Sequence, residues 1–294
     1  MLRSMYSGIS GMRNFQNKLD VIGNNVSNVN TVGFKKSRVM FQDILSQTLA
    51  GGTAPNPSGT PPVGGVNPKQ IGLGATISSI DVLHTQGAPM TTGLPSDIAI
   101  QGNGFFVVGT GTNDFNFTRA GNFIVDAKGD LVTTNGQYVL SKSGSKINLY
   151  DIGRGTAGTD NIKSYSIGQD GTITVSIQKS DGTTITNSSS DHEKPDDKKI
   201  GIAYITNPSG LEKIGNSMYK WAPAADTKKN FTDLVGLPGT SGRGVLIAGQ
   251  LEMSNVDLAE EFTEMIVAQR GFQSNSRIIT TSDSILEELV NLKR

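Results

Sequence analysis

Apolar residues recur every seven positions at both ends of the chain. Leu258, Met265, Phe272, Ile279 and Leu286 form one such row, and Ala268, Asn275, Ser282 and Leu289 form a second that is small or polar until its end. Ile266, Ile278, Ile285, Val290 and Leu292 widen the apolar surface; no proline interrupts, and Gly271 is the only glycine. Asp257, with Glu260 three residues later, is a helix-opening signal. The pattern predicts one helix over 257–294, ~35 residues and ~55 Å long. At the other end Met5, Met12, Leu19 and Val26 are spaced by seven, and so are Gly8, Phe15, Ile22 and Val29. This stripe predicts a second coiled-coil helix over residues 1 to about 32, closed by Gly33. Its last part, Gly23-Asn24-Asn25-Val26-Ser27-Asn28-Val29-Asn30, is poor in helix propensity, so the helix is expected to be stable only when packed. A shared seven-residue period favours a left-handed supercoil.

The middle of the chain changes period. Ile77, Ile80 and Val82 begin a strand pattern, and short strands are predicted either side of Gly102-Asn103, with turns at Lys128-Gly129, Asn135-Gly136, Asp170-Gly171 and Asp181-Gly182. Residues 51–70 are mostly Gly, Pro, Thr and Asn, a loop expected to order only with a partner. The predicted fold class is α+β, with a mainly antiparallel, sandwich- or barrel-like β domain inserted between irregular arms. Three parts are expected: 1–33 with 257–294 as a helical coiled coil, 34–90 with 223–256 as irregular/β linking arms in which Val245 to Leu251 is a strand, and 91–222 as an outer β domain.

Composition narrows the function. Of 294 residues, 26 are Lys or Arg and 26 Asp or Glu, so the basic excess of a nucleic-acid surface is missing. There is no Cys, which removes disulfides, thiolate nucleophiles and Cys metal sites. No apolar run approaches the ~18 residues of a membrane span, and the amphipathic N-terminus lacks a signal-peptide core, so neither membrane insertion nor a cleaved signal peptide is expected. The histidines are His84 and His192, and no Gly-x-Ser-x-Gly elbow accompanies either. Gly102-x-Gly104 lacks the third glycine of a dinucleotide loop. Asp97, Asp114, Asp126 and Asp130 read as turn carboxylates. Asn116-Phe117-Thr118 and Asn230-Phe231-Thr232 match a glycosylation acceptor pattern that is frequent by chance. No catalytic, metal or cofactor site is expected.

The helices are expected to assemble. Leu2, Tyr6 and Ile9 on one, and Ile266, Ile278 and Ile285 on the other, lie outside the seam, and two helices alone would leave them wet. Assembly is therefore favoured over pairing inside one monomer, and Met12, Leu19, Phe272 and Ile279 are expected to be buried only in a polymer.

Five stretches carry a family resemblance. Leu19 to Lys35, with Asn24, Asn25, Asn28, Gly33 and Phe34, resembles the N-terminal motif of bacterial flagellar rod and hook proteins. Asp97 to Phe106 (with Gly102, Gly104 and Phe105), and Thr118 to Phe123 (with Arg119, Gly121 and Phe123), resemble the central motifs. Ser254 to Leu258, with Asn255, and Met265 to Arg270, with Gln269, resemble the C-terminal one. Within the family, Phe272-Gln273-Ser274-Asn275 and Leu289 to Leu292 are closest to the hook subunit of the compact Gram-positive type. The alternative is a distal rod subunit, which the start Met1-Leu2-Arg3-Ser4 and the 51–70 insertion resemble; a secreted β-rich adhesin or binding module is the less favoured reading.

The resemblance implies an extracellular, self-assembling helical tube that transmits motor torque and is exported by the flagellar apparatus. Its implied partners are copies of itself, the distal rod protein, the hook cap and the hook–filament junction proteins.

Overall fold

The computed structural model describes residues 2–55, 64–157, 159–191, 195–227 and 230–292. In chain order, α1 (Leu2–Ser27) leads into β1 (Ser37–Asp43), β2 (Ser46–Ala50), β3 (Lys69–Gly72), β4 (Ala75–Val82) and β5 (Pro89–Thr91). Then come β6 (Ile98–Gln101), β7 (Phe105–Gly109), β8 (Phe115–Thr118), β9 (Phe123–Val125), β10 (Leu131–Thr133), β11 (Tyr138–Val139) and the short α2 (Leu149–Gly153). They are followed by β12 (Asn161–Ile167), β13 (Ile173–Gln178), β14 (Thr184–Ser188), β15 (Ile202–Ala203), β16 (Glu212–Gly215) and β17 (Met218–Lys220). The chain closes with α3 (Phe231–Leu234), β18 (Val235–Gly236), β19 (Val245–Ala248), β20 (Gln250–Glu252) and α4 (Leu258–Asn291). The α+β class expected from the sequence is the one observed.

The chain forms two compact units, divided differently from the three expected parts. One comprises Met1–Ser27, Ser37–Val82 and Asp257–Arg294; the other comprises Asn28–Lys36 and Leu83–Val256. In the first unit the residues expected as an irregular arm form a two-stranded antiparallel ribbon. β1 pairs with β4, β2 pairs with β3, and Thr53 bridges Val66. The Ile44 N–H donates to the Gly74 carbonyl between the two paired stretches. Within the predicted loop at 51–70, Thr53 and Val66 form a bridge and Lys69 and Gln70 belong to β3, while residues 56–63 lie outside the described ones. The extended pairing supplies the backbone partners that composition alone gives no reason to expect.

α1 stops at Ser27, so Val29 is not a helix position and does not belong to the seam. The low helix propensity of the Gly and Asn run wins at its end. Gly33 lies beyond the helix rather than capping it. Its φ is 67°, its N–H donates to the Glu252 carbonyl at 2.8 Å, and a Cβ there would sit 2.5 Å from the Ala120 nitrogen. Only glycine satisfies both the left-handed backbone and that approach. α4 opens as predicted, with the Asp257 carboxylate accepting from the Ala259 and Glu260 N–H groups.

The second unit is a β structure. A nine-stranded sheet runs β16-β17-β8-β7-β11-β10-β9, with β15 joining β7 and β18 joining β15. β12, β13 and β14 form a three-stranded meander whose turns fall at the two predicted Asp-Gly pairs. Ile173, Val175 and Ile177 of the meander share one buried cluster with Ile98, Phe106, Val108, Val139 and Ile202. Burial of side chains such as Phe106 and Val175 contributes about 1.5–3 kcal/mol each. The β19 strand pairs with β6 and puts Leu246 in that core, so the segment expected as a second arm is part of the β unit. Among the described residues no helix is long and apolar enough to cross a membrane.

Candidate assembly surface

α1 and α4 pair antiparallel within the first unit. Rising numbers along α1 meet falling numbers along α4: Gly8 lies against Asn275 and Ile279, Gly11 against Asn275, and Phe15 against Gly271. Lys18 pairs with Glu264, and Asn25 donates to the Glu261 carboxylate at 3.1 Å. Small residues let the backbones approach closely, and the small or polar row, Ala268, Asn275 and Ser282, is turned inward. Ala268 and Ser282 are buried, as are Ile22, Asn14, Asn25 and Glu261. On its ribbon side α1 meets β1 through an edge-on contact of Phe15 with Phe41, ring centroids 6.0 Å apart.

The predicted seam residues separate into groups. Ile22 is buried, while Met5, Met12, Phe15, Leu19, Val26, Met265, Ile279 and Leu286 are half-buried already in the single chain. Met12, Leu19 and Ile279 are thus partly covered within the single chain, and none of them is fully buried there. Leu258, Phe272 and Leu289 stay exposed. Beyond the seam, Phe262, Ile266, Val267, Ile278, Ile285 and Val290 are exposed, Ile266 by 58% and Val290 by 66%. The ribbon exposes Leu45 by 76%, with Leu49, Ile71 and Ile80. A two-stranded ribbon is marginal without a surface to lie on, and a run of apolar positions this extensive marks an interaction face.

The motif residues have mostly structural places. Asn25 holds the first turn of the ribbon, donating to the Ser37 carbonyl at 2.9 Å and accepting the Ser37 N–H at 3.0 Å. Asn28 accepts from the Thr31 hydroxyl, and Asn24 is exposed. Asn275 lines the helix pair, whereas Gln269 and Arg270 are exposed. In the β unit Phe34 is buried under the Lys213 ammonium, 4.1 Å from the ring centroid. Asn255 donates to the Leu83 carbonyl and accepts the Lys36 N–H, both at 2.8 Å. Asp97 bridges Asn122, Phe105 and Phe123 are core, and Gly121 lies against the Ile98 carbonyl.

Sequence reasoning missed a buried charge cluster in that unit. Glu252 takes the Lys35 ammonium on one carboxylate oxygen at 2.5 Å and Arg119 on the other at 3.1 Å. Arg119 also donates to the Ile100 carbonyl and, at 2.7 Å, to that of Gly102. Lys35 and Glu252 are essentially inaccessible to solvent. Burial pulls the Lys35 ammonium and the Arg119 guanidinium below their ordinary pKa values, against the Glu252 carboxylate, which favours both charged forms. Lys35 and Arg119 stand inside the family motifs, but nothing marked Glu252. His192 lies outside the described residues, and His84 is packed edge-on against Phe105 and Tyr219.

Three family descriptions match the chain: "Flagella basal body rod protein" over residues 5–35, "Flagellar hook protein FlgE/F/G D1 domain" over 99–175, and "Flagellar basal body rod FlgEFG protein C-terminal" over 247–292. The flagellar basal-body rod protein FlgG of Bacillus subtilis is 51% identical over 294 residues, covering all of both chains. The chain belongs to the flagellar rod and hook protein family. Rod and hook components of the flagellum are therefore its relatives, and a structural role in that assembly is its coarse function.

The FlgG rod protein of Borreliella burgdorferi is 35% identical over 302 residues, with both chains fully covered. The flagellar hook protein FlgE of the same organism is 31% identical, but over an alignment of 451 residues that covers all of both chains. These likenesses lean towards the rod subunit, the alternative reading, and away from the hook.

Proposed function

We propose that this chain is a distal rod subunit of the flagellar basal body, assembling head to tail into a straight helical tube. The observation that carries it is the apolar surface of α4 outside its pairing with α1, at Phe262, Ile266, Ile278, Ile285 and Val290. A heterologous contact that does not close generates a filament, and such a surface on every subunit supplies that contact. Full-length likeness to rod subunits, without the long insertions a hook alignment needs, supports rod over hook. The neighbours are then copies of this chain within the tube. A polypeptide without cysteine, whose N-terminal helix ends in a run of poor helix formers, suits delivery in unfolded form through the flagellar export apparatus.

The ribbon is the second contact surface in this reading. Its exposed Leu45, Leu49 and Ile71 are placed to rest on adjacent subunits and resist bending. Electron microscopy of the concentrated full-length chain tests the assignment: straight tubes support the rod, and curved ones return it to the hook. Ile266→Lys with Ile285→Lys should leave circular dichroism and thermal unfolding of the monomer intact and abolish tubes. Tubes of normal length from that double variant would remove α4 as the contact surface. Deletion of residues 51–70 should leave assembly but introduce curvature.

A further inference from the structure

The charge cluster of the β unit does not balance. Lys35 and Arg119 share the single carboxylate of Glu252, which leaves one positive charge in excess inside a protected region. Arg119 is only 4% exposed, and its Nε has no hydrogen-bond partner although the guanidinium's other nitrogens are satisfied by Glu252, Ile100 and Gly102. The ring nitrogens of His84 have only a loose contact to the Pro208 backbone, short of full hydrogen-bonding geometry, and the buried Tyr219 hydroxyl beside them has no partner. Buried polar atoms are almost always satisfied, so a cluster of orphans in one place asks for a missing group.

A cavity of about 130 Å³ lies at that place. Arg119 and His84 line it, together with Asn103, Phe105, Tyr204 and Thr206. Its volume accommodates several waters or a small ion. The charges around His84 fix the sign of that ion. Its pKa is lowered to about 4, first by burial and then by the positive charges of Lys35, Arg119 and Lys213, with a contact to the Pro208 backbone acting the other way. Burial raises the Tyr219 hydroxyl, which therefore stays neutral. Asp226, whose carboxylate accepts from the Thr206 N–H and hydroxyl, is not among the residues lining the cavity. Nothing anionic on the lining answers the Arg119 Nε.

We propose that this cavity binds a small carboxylate, with the Arg119 Nε–H and the His84 imidazole as donors and the Asn103 amide completing the set. An imidazole can present an N–H to one oxygen while the guanidinium edge engages the other, and charge-assisted bonds of this kind are about twice as strong as neutral ones. The bound carboxylate neutralises the excess charge left by the Lys35–Glu252–Arg119 cluster. It also links the segment following β4, the β6–β7 turn and the residue following β8 through one ligand.

The test follows the His84 ring proton by NMR in the full-length chain, the signal being assigned by its loss in His84→Gln. Sodium acetate, sodium phosphate and sodium chloride are compared at equal ionic strength. Acetate should raise the His84 pKa by about one unit or more, because a bound anion favours the imidazolium, and should raise the unfolding temperature. An equal response to phosphate would make the site a general oxyanion site and overturn the carboxylate assignment. The same small response to all three salts would show screening alone and overturn binding. Asn103→Asp places a carboxylate on the cavity wall with little change of shape. It should raise the His84 pKa without added salt and cancel the acetate response; an undiminished acetate response in Asn103→Asp would place the anion elsewhere.

Discussion

Phe15 of α1 lies directly over Gly271 of α4: a Cβ at Gly271 would stand 2.6 Å from the Phe15 Cζ. The absent side chain is what allows the helices to close. Gly271→Leu gains about 1 kcal/mol of helix propensity yet has to displace the ring, so the outcome separates packing from propensity. A net loss of about 1–3 kcal/mol is expected from overpacking. Gly23 of α1, by contrast, has no atom within 4 Å of such a Cβ, and Gly23→Ala should stabilise the monomer by about 1 kcal/mol. Hydrogen exchange of the α1 amides distinguishes the two, faster in the first variant and slower in the second.

Asn25 is the polar pin of the helix pair. Its amide serves Glu261 and the Ser37 carbonyl, and its oxygen takes the Ser37 N–H. Asn25→Ala removes the amide donor from Glu261 and leaves two Ser37 backbone groups without their side-chain partner, at a cost of about 1–3 kcal/mol for each group that water cannot reach. Asn25→Asp should be the worse of the two, because it sets two carboxylates against each other. Denaturant unfolding of the two variants, compared at low salt, would show that order; equal stability would mean Glu261 finds another partner.

The sequence makes both helices visible, because a seven-residue apolar period needs no tertiary information to read. Which row turns inward is not visible in the same way. Gly8, Gly11, Ala268 and Gly271 score as weak core positions by hydropathy, and their value lies in the close approach they permit. The ribbon escapes for a different reason. β2 and β3 are exposed along their whole length, so neither shows the alternation that marks a half-buried strand. Glu252 reads as a solvated strand residue until Lys35 and Arg119, far away in the chain, are brought onto it.

That cluster should behave as a unit. Glu252→Gln leaves the Lys35 and Arg119 charges buried without their anion, and a loss of about 3–5 kcal/mol is expected from breaking such a pair on one side. Replacing the Lys35 charge at the same time, in Lys35→Met with Glu252→Gln, should recover part of the loss, since only one cation then remains. A double-mutant cycle from urea unfolding measures the coupling. Additive losses would show that Lys35 and Glu252 act independently in spite of their 2.5 Å contact.

Acid should unlock the β unit through His84. Its folded pKa is lowered to about 4 from an ordinary 6.5, so the unfolded chain binds the proton first. Folding is then favoured with the imidazole neutral: the stabilisation is complete above pH 6.5, fades as pH falls, and is gone below about 4. The shift corresponds to about 2 kcal/mol lost by pH 5 and about 3 kcal/mol at the acid limit. His84→Gln removes the titrating group, so its stability should stay flatter between pH 6.5 and 4 than that of the natural chain. Urea midpoints measured across that range at constant ionic strength check the sign as well as the size. A natural chain that grew more stable on acidification would mean that His84 gains an anionic partner in the folded state and titrates upward instead.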